Sequence, residues 1–399
     1  MTHPITPQDR LEALDIVRGF ALAGVFLINV QSMISWEGLE GTVNGAAAWF
    51  LDAFIVGKFY RLFAFMFGVG FALQMFRLES RGAPFVSLYL RRLAVLFGIG
   101  LVHGLLLWPD DVLALYAQLG LLLLLIRNVS NRTLIAIGIV CLFAAPTYYY
   151  LATDFADFRG VTDYSWNGGR GQSAEIAEQE MHRVRSQGSY RELVATTSSY
   201  FLGWQTDLWT RLQNLREEFL MLLLGLYFGR RRLFERVTDN MPFIRQAFVA
   251  TLAVGVVAFP IISWLTEWSA LAVNGHLAVT ARQATIVVQS AAFSLFYGIA
   301  FLLALERLQV HRRLRLIGSI GQMTLTNYLL LSVLVTIVFN DFGLGLYGCT
   351  TVLEGIALAV VAYLLLATWS SWWLRRYRFG PAEWAWRSLT YGSMQPMKR

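Results

Sequence analysis

Apolar residues run along this chain in long blocks, near 12–32, 57–77, 88–107, 111–126, 133–152, 214–229, 244–265, 283–305, 316–339 and 347–373, with the polar residues gathered between them. Most blocks reach the roughly 17–25 residues that a helix needs to cross a hydrocarbon core. The pattern therefore predicts an all-α fold, a polytopic integral membrane bundle of about ten transmembrane helices. Blocks 111–126 and 214–229 are short for a span and are candidates for partly re-entrant segments. The interval 153–213 is the one long polar stretch. It predicts an extracytoplasmic loop, irregular over Asp163–Gly171 and helical over Glu175–Gln187, that caps the outer face. Beyond Trp373, Phe379-Gly380-Pro381 reads as a turn. Ala382–Tyr391, with Trp384, Trp386 and Leu389 set against Glu383 and Arg387, reads as an interfacial helix. Residues 379–399 are thus expected to form a cytoplasmic interfacial helix and tail, and 1–399 a single transmembrane domain. No internal repeat of fixed period is visible, nor a pairing of interrupted helices of the kind that marks inverted-repeat transporters.

Composition agrees with the pattern. The chain of 399 residues is 56% hydrophobic and 15% charged, far from an ordinary soluble domain. The first apolar block carries Asp15 and Arg18 and lacks a small-x-small cleavage site, so it predicts a retained helix rather than a signal peptide. Cys141 and Cys349 fall within or beside apolar blocks and offer neither a disulfide framework nor a metal site.

The net charge of +7 raises the question of an anionic partner. Its distribution answers it. Alternate loops are basic, with Arg77, Arg81, Arg91 and Arg92, then Arg127 and Arg132, then Arg230, Arg231, Arg232, Arg236 and Arg245, then Arg307, Arg312, Arg313 and Arg315. The opposite loops carry Glu37, Glu40, Asp110, Asp111 and Asp341 instead, apart from the long interval 153–213, which breaks the pattern and, as a long translocated loop, is largely exempt from the rule. By the positive-inside rule the basic loops and both termini face the cytoplasm, so no nucleic acid is needed to explain the charge. Membrane lipids are the expected surroundings, and the oligomeric state is left open.

A charge at the centre of a membrane helix costs roughly 2.5–3.5 kcal/mol on insertion scales, so each one asks for a partner or a task. Those singled out within the blocks are Asp15, Arg18, Lys58, Arg61, His103 and Glu354. Arg18 and Asn29 stand about three helical turns, about 16 Å, apart on nearly one face. Arg18 suits a phosphate or carboxylate and Asn29 a developing oxyanion. The plainer alternatives are an Arg18–Asp15 pair at i,i+3 and a helix contact through Asn29. Lys58 and Arg61 either snorkel toward the outer surface or bind an anion. His103 is the one histidine within an apolar block. Asp111 follows eight residues later across the Trp108-Pro109 corner, close enough to orient the imidazole as a general base. Packing against a neighbouring helix is the alternative, favoured by Gly98, Gly100 and Gly104. Gly318, Gly321, Thr324, Thr326, Tyr328 and Ser332 read as helix contacts, with Asn327 as the one to test for a binding role. No HExxH, P-loop, GxSxG or EF-hand pattern occurs, so no metal is expected.

These residues carry a resemblance. Leu14-Asp15-Ile16-Val17-Arg18-Gly19 with Asn29, Lys58–Gln74 (KFYRLFAFMFGVGFALQ), and His103 through Trp108 to Asp111 with Tyr116 and Ala117 all contribute to it. Gly321–Leu330 (GQMTLTNYLL) and Gly380–Tyr391 (GPAEWAWRSLTY) are the most specific. The chain resembles the YeiB-like family of bacterial membrane proteins, which carries the label domain of unknown function 418. That family is similar to the wider transmembrane acyltransferase superfamily. The resemblance implies a multi-pass protein of the bacterial inner (plasma) membrane that moves an acyl group from cytoplasmic acyl-CoA, as co-substrate, to a hydroxyl or amine on a glycan, lipid or small metabolite. Arg18 would then hold the CoA phosphates, with Arg61 a further substrate-binding residue. His103 with Asp111 would deprotonate the acceptor, and Asn29 or Asn327 would stabilise the oxyanion. The O-acyltransferase branch has a histidine where this chain has Asn29. The alternative is a transporter or exporter of a small polar or lipid-linked molecule, with His103 and Asp111 as a proton relay. A non-catalytic membrane scaffold is the third expectation.

Overall fold

The computed structural model describes residues 12–35, 39, 41–154, 172–206, 208–233, 240–271, 276–308 and 314–399. The Asp163–Gly171 stretch, His3, Glu37, Glu40, Arg236, Arg312 and Arg313 lie outside the described residues. The chain is built from α1 (Glu12–Gln31), α2 (Val43–Phe54), α3 (Phe59–Glu79), α4 (Phe85–Leu106), α5 (Val112–Leu125), α6 (Asn131–Asp154), α7 (Gln172–Gln187), α8 (Tyr190–Thr206), α9 (Leu208–Arg230), α10 (Met241–Leu271), α11 (His276–Leu308), α12 (Arg315–Gln322), α13 (Thr324–Phe339), α14 (Val352–Leu374) and α15 (Pro381–Tyr391). It is a polytopic helical membrane bundle. Each of the ten apolar blocks is occupied by a helix. Among the described residues six stretches are long and apolar enough to cross a membrane, and a bent pair makes a seventh.

The membrane character is visible in what faces outward. Val249, Val254, Val256, Val257 and Ile261 of α10 are exposed, as are Val360, Val361, Leu364 and Leu365 of α14. In water such belts would be a liability; against lipid tails they cost nothing. Inward contacts are set by glycine. Gly19 of α1 lies on the Ile317 carbonyl and Gly321 of α12 on the Asp15 carbonyl, so α1 and α12 pack backbone to backbone. Gly68 of α3 and Gly225 of α9 make a second close crossing. A side chain at any of these four would displace backbone, which explains why small residues fall here.

Two elements differ from the sequence reading. The second apolar block begins earlier than its composition suggests: Thr42 caps α2, accepting from the Gly45 amide at 3.0 Å, and Gly57 (φ +74°) turns the chain into α3. The block at 316–339 is two helices, α12 and α13, bent by 86° at Met323. No proline marks that break. Glu383 of α15 supports it from outside, accepting from the Leu325 amide at 2.7 Å, the Thr326 amide at 3.1 Å and the Thr326 hydroxyl at 2.5 Å. The first amides of α13 thus find a partner in a side chain of the tail. Burial lifts the Glu383 carboxyl above its ordinary range, and these hydrogen bonds oppose that rise. Glu354 is no buried charge. It completes a capping box with Thr351 at the start of α14, exposed at the surface.

In the long polar interval, α7 and α8 share a small apolar cluster of Met181, Val184 and Leu193. α8 lies on the C-terminal end of α4, where Ser198 donates to the Leu105 carbonyl at 2.9 Å and the Phe201 ring sits on Gly104. At this end Asp110 is half-buried near Arg185, whose guanidinium faces the Trp108 and Tyr347 rings. Burial pushes the Asp110 carboxyl up, with Arg185 drawing it back. The basic loops meet at the opposite end. Arg230 donates to the carbonyls of Arg127 and Val129, Arg232 lies over Phe76, and Arg92 lies over Trp386 of α15.

Candidate functional site

The bundle encloses a chamber of about 300 Å³ between α1, α3, α4, α5, the α12–α13 break and α15. Its deep walls are apolar: Leu22, Val25, Phe63, Phe67, Leu96 and Leu113. Toward the basic end of the bundle four arginines line it, Arg18, Arg77, Arg92 and Arg387, accompanied by Gln74 and Gln322. They come from α1, α3, α4 and α15. Arg18 approaches Asp15 at 3.2 Å, the i,i+3 pair that the sequence allowed, and still lines the chamber. Arg92 stacks on Trp386 at 3.9 Å, and the Trp386 indole donates to the Arg92 carbonyl at 2.9 Å. α15 is therefore a wall of the chamber rather than a surface appendage.

Tyr60, Tyr116 and Tyr328 close the far end. Tyr116 donates to the Tyr60 carbonyl at 2.8 Å, and the Tyr60 hydroxyl bonds to the Asn29 side-chain oxygen. Asn29 is thus held behind the tyrosines, its amide nitrogen buried without a hydrogen-bond partner. His103 also lies behind this layer. It is 1% exposed, its ring 5.0 Å from that of Tyr328. Its Nδ1 meets Asp111 Oδ1 at 2.8 Å and its Nε2 meets Ser332 Oγ at 2.8 Å. Asp111 Oδ2 accepts from the Ala114 amide at 2.7 Å, capping α5.

Lys58 and Arg61 do not reach toward water, as snorkelling would require. They are 5% and 8% exposed. Lys58 donates to the Asp52 carbonyl at 2.9 Å, and Arg61 pairs with Glu217 and donates to the Gly57 carbonyl at 2.5 Å. The cause is α9, which packs on α3 and presents Glu217, a charge within the block at 214–229, to Arg61. Asn327 donates to the Ile320 carbonyl at 3.1 Å and to Ser370 at 2.9 Å, while Ser370 donates back to its carbonyl oxygen at 3.2 Å. Helix contacts account for that amide on both sides.

Of the residues singled out from sequence, Arg18 lines the chamber, while His103, Asp111, Asn29, Arg61 and Asn327 do not. His103 and Asp111 are brought together, and Ser332 joins them from a helix more than two hundred positions away. Sequence reasoning counted Arg77 and Arg92 only as topology markers and Arg387 only as an interfacial charge. Their clustering across three elements is invisible in one dimension. The four arginines, converging on an apolar tunnel, suit a polyanionic head joined to an apolar body.

A family model described as "Protein of unknown function (DUF418)" matches residues 228–393, which include the α12–α13 break and α15. Over its full length the chain is 29% identical to the uncharacterized protein YxaH of Bacillus subtilis (strain 168), covering 98% of that protein. It is 30% identical to the uncharacterized protein YeiB of Escherichia coli (strain K12), covering 98% of each chain. An uncharacterized 39.9 kDa protein from the amylase 3' region of Bacillus acidopullulyticus is 27% identical across 99% of this chain and 97% of its own.

Proposed function

The chain belongs to the YeiB-like DUF418 family of helical, multi-pass membrane proteins, and from its chamber we propose that it is a membrane-bound acyltransferase that takes acyl-CoA at the basic end of the bundle. The observation that carries this reading is the four-arginine mouth, shared with Asp15, Glu383, Gln74 and Gln322, on a tunnel whose deep walls are apolar. Phosphates of the coenzyme bind at Arg18, Arg77, Arg92 and Arg387 by charge-assisted hydrogen bonds, and Gln74 and Gln322 serve neutral polar groups. The pantetheine arm and acyl group extend inward along Leu22, Val25 and Phe67. The nucleotide stays at the mouth, beside the arginines. With the basic loops inside, the mouth opens to the cytoplasm and the bacterial inner membrane is the location. His103, held by Asp111, is the base for an acceptor hydroxyl or amine, and Asn29 is an oxyanion donor once the tyrosines part. A glycan, lipid or small metabolite is the acceptor class.

The test uses the purified chain in lipid nanodiscs with radiolabelled acetyl-CoA and palmitoyl-CoA. Saturable binding, weakened at least about tenfold in Arg77→Ala, supports the reading, as does label transfer to added glycan or lipid acceptors. Acyl-CoA that binds no better than the free fatty acid refutes it.

One observation favours a second reading, a transporter of a small anionic or lipid-linked molecule. The tyrosine layer divides an open chamber from a closed ionisable cluster, an arrangement that suits alternating access. Flux of an unmodified cargo from proteoliposomes would select it.

A further inference from the structure

Beyond the base assigned above, we propose that Ser332 is a nucleophile that carries the acyl group as a covalent ester between donor and acceptor. This inference rests on the acyl-transfer reading of the chamber, which supplies the donor. Its own ground is the line Asp111, His103, Ser332, drawn from α5, α4 and α13.

The contacts allow the line to run one way. Asp111 Oδ1 meets His103 Nδ1 at 2.8 Å and its Oδ2 accepts from the Ala114 amide at 2.7 Å. In the tautomer that the proposal requires, Nδ1 carries the proton and donates to Asp111. In the neutral imidazole Nε2 is then an acceptor, and the group facing it at 2.8 Å is Ser332 Oγ. The other acceptor near that hydroxyl, the Tyr328 carbonyl, is farther off at 3.3 Å. In that tautomer Ser332 donates to Nε2. Nucleophile, base and orienting carboxylate stand in the order and at the spacing that activates a serine. All three side chains are buried, and none lines the chamber.

The route from the chamber is one side chain thick. Tyr328 lies one turn before Ser332 on the same face of α13, lines the chamber and packs its ring on the imidazole. Rotation of that ring exposes Oγ to a thioester lying in the tunnel. Oγ attacks the thioester carbonyl and gives its proton to His103 Nε2. The carbon–sulfur bond breaks, and the leaving thiolate takes the proton back. The acyl-serine ester is then attacked by the acceptor hydroxyl or amine, whose proton passes through His103 to Ser332 Oγ as the ester bond breaks. Nothing is oxidised or reduced.

The experiment incubates the full chain in nanodiscs with acetyl-CoA or palmitoyl-CoA, quenches in acid and maps adducts by peptide mass spectrometry. A fluorophosphonate probe is run in parallel, as an electrophile that needs no coenzyme site. An acyl adduct on Ser332 is expected, absent in Ser332→Ala and replaced in Ser332→Cys by a thioester labile to neutral hydroxylamine. His103→Gln should slow acylation roughly a hundredfold or more. Thermal unfolding of each variant shows whether it is folded, and the cysteine variant carries the test if the alanine variant is not. Acyl transfer at full rate by folded Ser332→Ala overturns the covalent step and leaves the acyltransferase reading intact. Fluorophosphonate labelling of Ser332 without acyl-CoA binding supports the nucleophile and overturns the coenzyme reading. Labelling by neither reagent overturns the inference.

Discussion

The two ends of this bundle handle buried polarity in opposite ways. At the basic end, arginines from four elements line an open chamber, where water or a ligand can solvate them. Beyond the tyrosine layer, Arg61 is matched by Glu217, His103 by Asp111 and Ser332, and Lys58 by a carbonyl. The comparison teaches that an intramembrane charge does not announce its task. The bilayer demands only that the charge be satisfied, and a cavity and an ion pair both meet the demand.

Substitutions should separate the two ends. The largest effect on stability is expected beyond the tyrosines: Asp111→Ala strands His103 Nδ1 and the Ala114 amide in a dry interior. It should cost roughly 3–5 kcal/mol, the usual penalty for removing one member of a buried pair, read as a lower unfolding midpoint in detergent. Glu383→Ala removes the acceptor for two amides and a hydroxyl at the α12–α13 break. A loss of about 1–3 kcal/mol is expected, together with weaker anion binding, because α15 also carries Trp386 and Arg387. Thr351→Ala, at an exposed cap far from either end's chemistry, should cost about 1 kcal/mol without touching binding. Smallest in stability is Arg77→Ala, which should shift unfolding by about 1 kcal/mol or less while weakening acyl-CoA binding at least about tenfold. If Arg77→Ala instead unfolds the chain and Asp111→Ala does not, the contrast between open and sealed ends is wrong.

How much was legible beforehand follows from the range of each interaction. The membrane bundle, its helical blocks and the surface helix at 175–187 are local matters of periodicity, and they are present. The His103–Asp111 contact was also legible, because only the Trp108-Pro109 corner separates its partners. Ser332, Glu217 and the arginine cluster were not, since each depends on contacts between helices distant in sequence. The bend at Met323 escaped notice for another reason. It carries no proline, and its support, Glu383, sits some sixty residues downstream in what reads as a tail. α2 was missed because Val43–Phe54 is too short to stand out from the block that follows.

The grip of Glu383 on α13 has a consequence for anyone handling this protein. A helix start inside a membrane ordinarily invites a negatively charged guest; here the C-terminal segment fills that seat itself, and the return of Tyr377 against Lys398 pins the segment from behind. A chain cut short after Tyr377 would therefore lose more than a loose end: it would lose a floor, the Arg387 guanidinium and the plug of a helix dipole at once.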